Sequence, residues 1–213
     1  MSDALNLLVG LAMGLNLVAL GSGRLPVIIR AMSLQGVVLG VMPLLLEHDV
    51  DWRVILVALA TIAGKGVLIP ALLRRATRAS PVDRELEPTL GFVPSMLLGA
   101  GVTIAAVAGA RALPLLPEHA GLLLVPGALA TVLTGVLLLV GRTKAISQVC
   151  GYLILENGIF VFAQLLHDAM PALVEVGVLL DLTVGVFVLG IIVDRIQRAF
   201  DTLDTRKLTV LRE

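Results

Sequence analysis

Long apolar runs alternate with short polar links along the whole chain. In order they are Ala4 to Leu20, Ala31 to Leu46, Val54 to Leu73, Leu90 to Ala110, Ala120 to Gly141, Ala145 to Leu166 and Ala169 to Val193. The second extends back to Leu25 with Arg30 snorkelling to the interface. A bilayer-spanning helix needs about 20 mostly apolar residues, whereas a barrel strand takes about 10. The runs therefore predict an all-α, polytopic membrane protein with seven transmembrane helices.

Composition supports that reading. Hydrophobic residues make up 58% of the 213, charged residues only 15%, against roughly 25% charged in a soluble domain. Mean hydropathy is +1.01. Seven spans would use about 140 residues, so the chain reads as one membrane domain, 1–213. It divides into helices one to three (1–73), a cytoplasmic loop (74–89), helix four with an outer loop (90–118), a three-helix unit (119–198) and a cytoplasmic tail (199–213). No Lys or Arg precedes Arg24, so the first run is expected to be a retained helix rather than a signal peptide, which requires a positive n-region.

The basic residues set an orientation. Seven alternating spans put Arg24, Arg30, Arg74, Arg75, Arg78, Arg84, Arg142, Lys144, Arg195, Arg198, Arg206, Lys207 and Arg212 on one side. Arg53 and Arg111 fall on the other, and Lys65 falls within the membrane. The N-terminus is expected outside and the C-terminus in the cytoplasm. Spans one to three and five to seven then share their up-down sense. A parallel duplication follows that pattern, although residue identity between the halves does not establish it.

Several function classes drop out. The 16 basic and 16 acidic residues cancel, leaving no basic footprint for nucleic acid. One cysteine, Cys150, makes neither a disulfide nor a cluster motif and reads as a small packed hydrophobe. No phosphate-binding loop of the GxxxxGK[ST] type is present. His48, His119 and His167 are scattered at predicted outer helix ends. No metal site and no active site belonging to this chain are expected.

Four ionisable residues lie within the spans: Lys65, Glu156, Glu175 and Asp181. A charge at mid-bilayer costs about 2.5–3.5 kcal/mol on insertion scales, so it must be paired, neutralised or turned to a polar cavity. Proton relays need such groups. Lys65 lies between Gly64 and Gly66, which leave room for its ammonium group and for a neighbouring backbone. A structural ion pair with one of the carboxylates is the alternative reading. Glu156 is near the middle of helix six, with Asn157 beside it as amide donor and acceptor. Asn157 and Tyr152 are supporting candidates. Asp181 lies mid-span in helix seven and Glu175 nearer its outer end, about 120° apart on the helix, so they do not form a paired site on one face. Gly10 and Gly14, and Gly36 and Gly40, predict close helix packing. Pro43, Pro70 and Pro126 predict kinks, and Trp52 an interfacial anchor.

The last two runs resemble a known family. The stretches GYLILENGIFVFAQLL (Gly151 to Leu166), MPALVEVGVLLDLTVGVFVLGIIVDRIQRAFDTLDTRKL (Met170 to Leu208) and KGVLIPALLRR (Lys65 to Arg75) are similar to component E of hydrogenase-4 and formate hydrogenlyase-type complexes. The resemblance implies a non-catalytic membrane-arm subunit of a group 4 [NiFe]-hydrogenase complex, related to respiratory complex I, in a prokaryotic inner (plasma) membrane. It implies that the [NiFe] centre and Fe–S clusters reside in partner subunits, and that the partners are antiporter-like and complex I H-subunit-like membrane subunits. It further implies that 119–198 is similar to the K subunit of complex I and the C subunit of Mrp antiporters, with Glu156 placed like a K-subunit glutamate. Glu156, Asp181 and Lys65 are then the expected proton-pathway groups, with Glu175 at an entry or exit. A purely structural bridging subunit and a stand-alone ion transporter are the alternatives.

Overall fold

The computed structural model describes residues 2–47, 50–79, 91–113 and 121–166, together with 170, 174, 176–181, 183, 185–187 and 190. Glu175, the three histidines and the expected cytoplasmic tail lie outside the described residues. All the regular structure described is helical: α1 (Ser2–Gly21), α2 (Leu25–Leu46), α3 (Trp52–Thr61), a π-helical segment (Ile62–Leu68), α4 (Ile69–Ala79), α5 (Phe92–Ala110), α6 (Leu124–Gly141) and α7 (Ala145–Ala163). A 3₁₀ turn, Gln164–Leu166, closes α7. Because α3, the π segment and α4 are continuous, the described residues hold six helices long and apolar enough to cross a membrane, followed by a shorter apolar helix, Val176–Phe187. The seventh expected span is thus represented by this shorter stretch.

Two hydrogen-bonded clamps show how the helices run. At one end, Asn6 Nδ2 donates to Gly121 O (3.1 Å) and Asn6 Oδ1 accepts from Leu123 N (2.8 Å). At the other, Arg142 Nη2 donates to Leu20 O (3.0 Å) and Ser22 O (3.2 Å). The clamps tie the start of α1 to the start of α6 and the end of α1 to the end of α6, so the two run side by side in the same direction. Arg142 also lies over the Phe92 ring at the start of α5. Arg142, one of the basic residues used to set the orientation, is buried, where it satisfies carbonyls left open at the end of α1.

The apolar interior forms two separate clusters. One joins Ala19 and Leu20 of α1, Leu25 to Met32 of α2, Ile69 and Leu73 of α4, Leu138 of α6 and Ile146 to Ile154 of α7. The other joins Leu5 to Ala12, Val38 to Met42, Leu124 and Ala128, Phe160 and Val161, and Val174 and Val178. Each long helix except α5 thus passes from one cluster to the other, or borders both. α2 and α7 make the passage in the same direction, as α1 and α6 do. α5 packs outside, against α1 and α6, and turns Val93, Leu97 and Ile104 outward.

Small residues let the backbones meet. A Cβ on Gly36 would lie 2.5 Å from the Lys65 carbonyl carbon, and one on Gly40 3.0 Å from Ala58 O, so this pair seats α2 on the third span as its spacing predicts. Gly135, Gly151 and Gly158 similarly bring α6 and α7 into backbone contact. Gly10 and Gly14 do not follow their prediction. A Cβ on either meets nothing within 4 Å, because both lie on the outward face of α1. Pro126 also departs from expectation: α6 starts at Leu124, so this proline sits in the first turn, where its missing N–H has no helical partner to lose.

Gly36→Ala should therefore destabilise the protein by about 1–3 kcal/mol, the usual range for overpacking. Gly10→Ala should be neutral or mildly stabilising. Thermal unfolding of both variants in one lipid or detergent environment checks the contrast; equal effects would contradict the packing described.

Candidate functional site

The site is built around a local change of helix type. Pro70 has no N–H, so an α-helix running through it leaves the Gly66 carbonyl without its usual donor. The third span widens to a π-helix over Ile62–Leu68 immediately before it, with Ile69 N donating to Gly64 O. The Gly66 carbonyl receives the Ser33 hydroxyl of α2 instead. Lys65 occupies the middle of this widened segment and is turned inward, 5% exposed. Short π segments recur at functional sites, and nothing in the apolar periodicity of the run pointed to one.

Four groups surround the Lys65 ammonium. It forms an ion pair with Asp181 of the C-terminal helix. It donates to Asn157 Oδ1 of α7 at 3.3 Å. The Phe160 ring centroid lies 5.6 Å away, within range of a cation–π attraction. Glu156, also 5% exposed, lies close enough to interact with both Lys65 and Asp181, and its Oε2 has no hydrogen-bond partner. The structure thus gathers Lys65, Asp181, Glu156 and Asn157 from three spans into one cluster. Tyr152, one helical turn before Glu156, is near enough to interact with both carboxyl groups. Asp181 and Glu175 were expected to meet different neighbours; Asp181 meets Lys65 and Glu156.

The cluster borders a cleft of about 390 Å³ between α7 and the C-terminal helix. Tyr152, Glu156 and Asp181 are its polar lining; Ile159, Phe160, Val174, Val178 and Leu180 are among its apolar walls. Titratable groups therefore stand at the edge of a space that could admit water or a neighbouring chain, while the rest of the cluster is packed.

On its other side the cluster continues as uncharged side chains. Asn157 Nδ2 donates to Gln35 Oε1 (3.3 Å), Gln35 Nε2 to Asn16 Oδ1 (2.7 Å) and to Ala12 O (3.0 Å), and Asn16 Nδ2 to Thr131 Oγ1 (2.8 Å). Thr131 Oγ1 donates in turn to Gly127 O (2.7 Å). All of these side chains are buried. Asn16, Gln35 and Thr131 were not among the residues singled out from the sequence. The available signal was the presence of an amide, Asn16 and Gln35, within the first two apolar runs. The polar layer so formed lies between the two apolar clusters.

This chain has relatives among known proteins over most of its length. It is 36% identical over 188 residues to an uncharacterised protein of Mycobacterium tuberculosis, covering 87% of this chain and 86% of that one. It is 31% identical over 150 residues to hydrogenase-4 component E of Escherichia coli K12, covering 70% of this chain and 68% of the relative. Hydrogenase-4 component E of Shigella flexneri matches to the same extent. No family model matches, and no solved structure matches.

Removing one member of a buried ion pair costs about 3–5 kcal/mol, because the other is left uncompensated. Lys65→Met should show a loss of that order. The double variant Lys65→Met/Asp181→Leu should lose less than the sum of the two single variants. A double-mutant cycle on unfolding in detergent or bilayers checks this; additive losses would contradict the pairing.

Proposed function

The chain belongs to the hydrogenase-4 component E family, and we propose that it serves as a membrane-arm subunit of a complex I-related redox complex, with Lys65, Asp181 and Glu156 forming a proton-exchanging site. The observation that carries the proposal is the pairing of buried Lys65 with half-buried Asp181, with a second carboxyl, Glu156, beside them. Two acids face one base. Fully ionised, the three groups carry one net negative charge; with one carboxyl protonated they carry none. Such a cluster holds or releases a proton as its surroundings change, which is what a relay in an apolar medium requires. Tyr152 and Asn157 support it, and Glu175 takes the place of an entry or exit group.

Electron transfer belongs, in this reading, to partner subunits that carry a [NiFe] centre and Fe–S clusters. Fe–S clusters are held by several thiolates, and this chain has one cysteine, itself buried. The partners proposed are antiporter-like and complex I H-subunit-like membrane subunits in a prokaryotic inner membrane. The N-terminus lies outside and the C-terminus in the cytoplasm, from the distribution of basic residues. The 119–198 unit plays the part of the K subunit of complex I, with Glu156 near the place of one of its glutamates.

Glu156→Gln in the assembled complex tests the relay. Proton translocation per electron transferred should fall, with subunit assembly preserved. Normal assembly, normal redox turnover and normal translocation would leave a bridging role only.

A further inference from the structure

The hydrogen bonds leading away from Lys65 all point the same way. Lys65 donates to Asn157, Asn157 to Gln35, Gln35 to Asn16, Asn16 to Thr131, and Thr131 to the Gly127 carbonyl. An ammonium group donates and cannot accept. It therefore fixes Asn157 with its oxygen toward Lys65 and its NH₂ toward Gln35, and each amide that follows inherits that sense. The chain ends on a main-chain carbonyl, which asks for no further partner. Neither carboxamides nor the threonine hydroxyl exchange charge near neutral pH, so this arm transmits orientation and carries no net charge.

We propose that Gln35, Asn16 and Thr131 are positioning residues for the Lys65 site. Acting through Asn157, they hold the ammonium group against Asp181 and Glu156 and close the site on the side of α1 and α6. The inference rests on reading Lys65, Asp181 and Glu156 as the proton-exchanging cluster. Among the described residues, the titratable groups facing Lys65 are Asp181 on the C-terminal helix and Glu156 on α7, with Tyr152 of α7 beside the two carboxyl groups. α1, α2 and α6 contribute Asn16, Gln35 and Thr131, all uncharged, to the hydrogen-bonded arm; the one charged residue of α2, Arg30, is exposed. Without Gln35, the NH₂ of Asn157 loses its acceptor and the amide is free to rotate, withdrawing its oxygen from Lys65.

The test is an infrared pH titration of the full-length protein purified into lipid bilayers. It follows the protonated-carboxyl stretch, assigned by its response to Glu156→Gln and Asp181→Asn. Gln35→Leu should displace the titration midpoint by about one pH unit, the scale of one charge-assisted hydrogen bond. Thr131→Val, at the far end of the arm, should displace it in the same direction by less, and it decides the question if Gln35→Leu fails to fold. Thr134→Val is the control: it removes a hydroxyl that is just as buried, on the same helix, but has no partner, and it should leave the midpoint unchanged. Lowered thermal stability in the Gln35 and Thr131 variants with a wild-type midpoint would overturn the positioning role. A wild-type protein with no carboxyl stretch sensitive to Glu156→Gln or Asp181→Asn would overturn the proton-exchanging site itself, and this inference with it.

Discussion

An ammonium group buried in the middle of an apolar bundle must be given acceptors in place of water. Lys65 meets that demand with a carboxylate from one helix and an amide oxygen from another, beside an aromatic face. Those partners need partners in turn. Asn157 must give away its own NH₂, and the obligation passes through Gln35 and Asn16 until a main-chain carbonyl ends it. One charged side chain thereby engages α1, α2, α6, α7 and the C-terminal helix. In a bilayer, where apolar packing distinguishes poorly between helix and lipid, such polar contacts and close small-residue seams select which helices become neighbours.

The arrangement across the bundle is regular. α1 and α6 run in parallel, joined at 115 residues' separation both at Asn6–Gly121 and at Asn16–Thr131. α2 meets α7 at Gln35–Asn157, and the third span meets the last helix at Lys65–Asp181. Spans one, two and three thus meet spans five, six and seven in order, at the level that divides the two apolar clusters. This is the pairing expected of a parallel three-helix duplication with the fourth span, α5, as an outer connector. The opposed charges of Lys65 and Asp181 then lie between the third helices of the two units.

Much of this was legible in the chain because hydropathy reports burial in lipid directly. α1, α2, α5 and α7 begin or end within a few residues of the apolar runs, and Gly36 and Gly40 pack as their spacing implies. Charged residues in such runs also stand out, so Lys65, Glu156 and Asp181 could be named as site candidates without a structure. Their mutual contact could not, since it depends on helix rotation. The same rotation turns Gly10 and Gly14 outward although their spacing matches that of Gly36 and Gly40. The π segment was illegible because it arises from a backbone conflict near Pro70, while the apolar run continues through it. The amide arm was less legible because Asn16 and Gln35 carry no charge and so do not stand out as Lys65, Glu156 and Asp181 do.

Lys65 is held between Asp181 and Asn157 in the middle of the helix bundle. Solid-state NMR tests it most directly, since the chain has only three lysines, Lys65, Lys144 and Lys207. In protein labelled with ¹⁵N at lysine and ¹³C at Asp and Asn, in bilayers, one Nζ signal should show through-space coupling to both an Asp and an Asn side-chain carbon. Asp181→Asn should abolish the coupling to Asp, and Lys65→Met should remove that Nζ signal. A Lys65 Nζ coupled to neither carbon, or an Nζ pattern unchanged by Asp181→Asn, would contradict the account.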